Sequence, residues 1–94
     1  MMSKIPIDLE KVDKKNIDEE ILRVGMIAEL DAINLYEQMA AVAQDKNIKA
    51  ILLDIAKEEK THVGEFQALL LNRDKQQVEE LEAGKKEVKE EVGE

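Results

Sequence analysis

The chain has 94 residues and a formal net charge of −8, so it forms one small domain near the size at which a lone core is marginal. That acidity excludes a nucleic-acid binder, which needs a basic face, and the absence of cysteine excludes disulfides, thiolate metal sites and thiol nucleophiles. Hydrophobic residues make up 44 % but only Tyr36 and Phe66 are aromatic, so the core is aliphatic and the Ala, Glu, Lys and Leu content points to helices.

Residues 1–15 are polar, hold the single proline and show no sustained period, which predicts an N-terminal arm. No apolar run approaches the roughly 20 residues of a membrane span, and the first residues lack a signal-peptide core. A soluble, cytoplasmic protein with no membrane partner is expected. Asn16 followed by Glu19 reads as a capping box, with Asp18, Glu19 and Glu20 in the first turn. A first helix is then predicted to about Gln44, interrupted only by Gly25, which costs about 1 kcal/mol relative to Ala.

Asp45, Lys46 and Asn47 supply a turn and a new N-cap. A second helix follows to Leu71. Asn72, Arg73 and Asp74 break it, and Asp74 with Gln77 caps a third, shorter helix to about Ala83. Residues 16–83 are therefore the folded domain, an antiparallel helical hairpin plus a short C-terminal helix. Residues 84–94 read as a charged tail or linker. A hairpin of this size buries one stripe per helix, so pairing two hairpins into a four-helix bundle is expected from length alone.

The stripe of the first helix runs Leu22, Gly25, Glu29, Ala32, Ile33, Tyr36, Met39, Ala43, and that of the second Ile48, Leu52, Ile55, Glu59, His62, Phe66, Leu69. Glu29, Glu59 and His62 thus stand on core-facing stripes, where an unpartnered charge costs several kcal/mol. A lone E-x-x-H is weak evidence, and a core histidine is commonly satisfied by a hydrogen bond. Here His62 is the single histidine of the chain, and folding at 45–47 brings Glu29 to the depth of Glu59 and His62. A divalent cation explains all three, and the ligand types accept iron, manganese or zinc. One chain offers one Glu and one Glu-x-x-His, half of the set used by di-iron carboxylate bundles, and a two-fold dimer completes it. Tyr36 reads as a core tyrosine or as a neighbour of the metal. Asp31 and Glu37 fall off the stripe and read as surface charge or as guides for incoming cations; Met26 and Met39 read as packing.

At these residues the sequence resembles the encapsulated ferritins, short relatives of ferritins and rubrerythrins that are packaged inside encapsulin nanocompartments. The resemblance covers about residues 18–75. It is carried by the run from Ile27 to Tyr36, by the run from Ala50 to His62, and by Glu65, Phe66, Leu69, Arg73 and Asp74. It is nearest to archaeal members in which such a domain precedes the shell protein. The resemblance implies a ferroxidase that oxidises Fe(II) to Fe(III) with dioxygen at a site of two irons per dimer, with dimers joined in a ring-like decamer and the mineral kept by an encapsulin shell. By the same resemblance Glu29, Glu59 and His62 are catalytic metal ligands, Tyr36 lies beside them, and Asp31 matches an acidic entry residue. Two positions depart from the pattern: Ala28 stands where the family has a glutamate, and Leu35 where it has a tryptophan. A metal-stabilised cargo module without catalysis and a rubrerythrin-like peroxide scavenger are the competing readings.

Overall fold

The computed structural model describes residues 8–11 and 13–93. After a 3₁₀ turn at Leu9–Lys11 come three helices, α1 (Ile17–Val42), α2 (Lys46–Leu71) and α3 (Lys75–Val92). There is no strand among the described residues. No helix is long and apolar enough to cross a membrane.

The turn between α1 and α2 forms because its residues satisfy both helix ends. Ala43 leaves the helical region (φ −66°, ψ 133°), which ends α1 at Val42, just short of the expected Gln44. The Asp45 carboxylate then accepts from the N–H groups of Asn47 at 2.7 Å and Ile48 at 3.0 Å, covering amides that the first turn of α2 leaves open. At the other end of α2, the Asp74 carboxylate accepts from the Gln77 N–H at 3.0 Å and starts α3.

The capping box expected at Asn16 does not form. Asn16 has helical-side backbone angles (φ −107°, ψ −2°) and its side chain makes no cap bond. A capping side chain reaches the next amides from an extended backbone, and this one does not. The start of α1 is held instead by charge. Arg73, in the α2–α3 turn, donates to Glu19 at 3.0 Å and lies 3.6 Å from Asp18. Arg23 bridges Glu20 at 3.1 Å and Asp74 at 3.7 Å.

The third helix is longer than the sequence predicts. It continues through Gly84 to Val92, so most of the expected tail is helical. The residues around Gly84 are good helix formers, and one interior glycine costs too little to break the run. Lys86 and Glu90 approach to 4.0 Å on its surface, and Gly93 closes the helix in the left-handed conformation (φ 78°) that glycine adopts without strain. α3 packs against α2 near their connection and leaves Val88 and Val92 exposed.

α1 and α2 pack against each other along their lengths. Leu22, Ile33 and Ala40 of α1 meet Ala56 and Leu70 of α2 in a small core. Two stripe positions expected inside are out: Ile48 is 57 % and Leu69 56 % exposed. They lie toward the edge of α2, where one partner helix cannot cover them. Asp31 corrects the sequence reading in the opposite direction. It is buried, at 8 % exposure, on a side of α1 where Val24, Ala28 and Leu35 are half-buried.

Candidate metal centre

The antiparallel hairpin brings Glu29 of α1 level with Glu59 and His62 of α2. His62 Nδ1 stands 3.3 Å from Glu29 Oε2 and 3.4 Å from Glu59 Oε2. One donor atom from each residue lies within 4.8 Å of the other two, and no other His, Asp or Glu among the described residues joins this group. Separations near 3.3 Å are those of neighbouring ligands around a first-row divalent ion with bonds of about 2.0–2.2 Å. Two carboxylates and an imidazole, with no thiolate, form a donor set for iron, manganese or zinc. The residues present therefore fit a cation.

Burial is uneven across the three. The Glu29 and Glu59 side chains are 20 % and 18 % exposed, while the His62 side chain is 44 % exposed. His62 thus sits at an open edge of the hairpin. On α2 that edge is continued at spacings of four and seven by Ile51, Ile55 and Leu69, and Ile51 and Leu69 are 61 % and 56 % exposed. Leu69 also shares an apolar cavity wall with Ile21 and Leu22 of α1. Three ligands leave a cation short of a full shell, and the same edge of α2 carries the exposed apolar side chains of Ile51 and Leu69.

The other residues singled out in the sequence are placed apart from the three donors. Tyr36 is half-buried on α1, and its hydroxyl bonds to none of them among the described residues. Asp31 lies on another side of α1. Glu37 is exposed and paired across the helices with Lys60 at 3.1 Å, a contact worth little in solvent. Gly25 and Phe66, read in the sequence only as stripe positions, prove to be in close contact beside the site. A glycine and an aromatic ring at the same level of facing helices is the signal that marks such a contact.

The matching family model is EncFtn-like, over residues 5–85. The chain belongs to this family. It is 66 % identical over 74 residues to a ferritin-like–encapsulin shell fusion protein of Pyrococcus furiosus, covering 79 % of this chain and 21 % of that protein. It is 36 % identical over 69 residues to the encapsulin nanocompartment cargo protein EncC of Myxococcus xanthus, covering 70 % of this chain and 53 % of that one. This EncFtn-like chain thus spans about a fifth of the first relative and about half of the second. Its fold is that of the crystallised encapsulated ferritin domain from Pyrococcus furiosus, with a TM-score of 0.86 and 56 % identity over all of this chain and 98 % of that one.

Proposed function

We propose that this EncFtn-like chain is a ferroxidase whose site is completed when two copies pair, with Fe(II) as substrate and dioxygen as electron acceptor. The observation that carries the reading is the convergence of Glu29, Glu59 and His62 at an uncovered apolar edge. Pairing two such edges about a two-fold axis supplies the four Glu and two His of a di-iron bundle site and covers Ile51 and Leu69. Bound there as substrate, each Fe(II) would give up one electron, and two Fe(II) with two protons would reduce one dioxygen to hydrogen peroxide and leave two Fe(III).

The chain's own residues do the rest. Glu29 and Glu59 set two negative charges beside each cation, which favours the ferric over the ferrous charge state. His62 offers a neutral nitrogen donor placed between the two carboxylates. Tyr36, on the same stripe, shapes the apolar wall beside the pair. Asp31, buried on another side of α1, is the acidic residue we assign to the route of incoming cations.

A second apolar surface supports assembly beyond the pair. Met26, Ile27 and Leu30 of α1 form a cavity of about 290 Å³ with Leu70, Leu71 and Leu81. Two different apolar surfaces on one chain allow dimers to join into a closed ring such as a decamer. The relatives' names place them with encapsulin, and we assign this chain to the interior of an encapsulin compartment in the cytoplasm, where the shell stores the product. Stopped-flow absorbance after mixing Fe(II) with the aerobic protein tests the reading. Oxidation above background is expected, and its absence from protein shown to be paired overturns the reading.

A further inference from the structure

Gly25 precedes Glu29 by one turn of α1, and Phe66 follows His62 by one turn of α2, so the two face each other one layer below the metal donors. The contact is closer than any side chain would permit. A methyl group at residue 25 would stand 2.9 Å from both Cε1 and Cζ of the Phe66 ring and 3.0 Å from Cδ1. Ordinary carbon contacts lie at about 3.5–4.0 Å. Gly64 and Gly84, also inside helices, have nothing within 4 Å of the same position. Alanine forms helix better than glycine, so helix propensity does not explain a glycine at 25.

We infer that Gly25 and Phe66 are the positioning residues of the metal site. The rigid ring rests on bare α1 backbone and sets the separation of α1 from α2 at which Glu29 reaches Glu59 and His62. The inference rests on the metal-site reading given above. Metal ligands tolerate displacements of only about 0.2–0.5 Å. A methyl group at 25 must either move α1 away or turn the ring out toward the edge that carries His62. Both displace donors now 3.3 and 3.4 Å apart.

Co²⁺ titration of the full chain, followed by visible absorption and by calorimetry, tests this without reference to turnover. Gly25→Ala is expected to weaken Co²⁺ binding about tenfold or more and to change the visible bands, while helix content by circular dichroism is kept. Gly64→Ala is expected to bind as the wild type does. Adding Phe66→Leu to Gly25→Ala frees space for the methyl group and is expected to recover most of the affinity. A Gly25→Ala protein that binds Co²⁺ as tightly as wild type overturns the inference. So does a double variant that stays as weak as the single one. A wild type that binds Co²⁺ but oxidises no Fe(II) removes the ferroxidase reading and leaves this inference standing; a wild type without Co²⁺ affinity removes both.

Discussion

The imidazole of His62 and the carboxylate of Glu29 come within 3.3 Å of each other from opposite helices, with the Glu59 carboxylate 3.4 Å from the same ring nitrogen. Without a cation, two carboxylates share one imidazole at a half-open surface. Removing either α2 partner is therefore expected to abolish metal binding rather than the fold. Glu59→Ala and His62→Ala should each lower metal affinity by at least the roughly 10–100-fold that loss of an outer-shell partner costs. Fe(II) oxidation should drop to background. Calorimetry and stopped-flow absorbance measure the two effects separately, and an unchanged far-ultraviolet spectrum shows that the helices remain.

Metal should also stabilise the protein by mass action. At a free concentration of 100 times Kd the gain is about 2.7 kcal/mol, seen as a rise in Tm that a chelator reverses. His62→Ala should melt at one temperature with or without metal.

The uncovered edge gives a prediction about assembly. Ile51 and Leu69 flank His62 on α2 and are 61 % and 56 % exposed in the single chain. A charge placed there would be buried unpaired on pairing, at a cost of several kcal/mol. Ile51→Glu and Leu69→Glu are expected to shift the protein toward monomer in sedimentation velocity, and to lose Fe(II) oxidation although every ligand is intact.

Acid should loosen the start of α1. A hydrogen bond from its own backbone, and then the Arg73 guanidinium, hold the Glu19 carboxyl below its ordinary value. A carboxyl depressed in the folded state contributes stability that is complete above its unfolded pKa and is lost as pH falls through the folded one. Stability should therefore fall below the ordinary carboxylate range, and Glu19→Gln should flatten that part of the profile in urea melts. Arg73, raised by the same pairing, stays charged throughout and adds no titration of its own.

The two N-caps should behave differently on truncation. Asp45 bonds two amides of α2, so Asp45→Ala should cost about 1 kcal/mol and lower Tm by roughly 4–8 °C. Asn16 makes no cap bond, so Asn16→Ala should stay within about 0.5 kcal/mol of wild type.

The contrast between Asp45 and Asn16 shows how far the sequence could be read. Helix periods, the break at 45–47, the Asp74 cap and the joint placement of Glu29, Glu59 and His62 follow from spacing, because an antiparallel hairpin has one register that pairs the stripes. Asn16 could not be settled this way, since its backbone angles, rather than its type, decide whether it caps. The length of α3 was hidden by Gly84, whose small local penalty is outweighed by the helix formers on either side. Asp31 and the Gly25–Phe66 contact depend on what covers a helix and how closely, which a single-face period does not carry.

In the proposed function, one chain supplies half of a metal site. Native mass spectrometry of the iron-loaded protein, paired with elemental analysis, tests it most directly. An even number of chains carrying two irons per pair, with both pairing and iron lost in His62→Ala, is the result expected. A monomer holding one tightly bound metal would contradict the shared site.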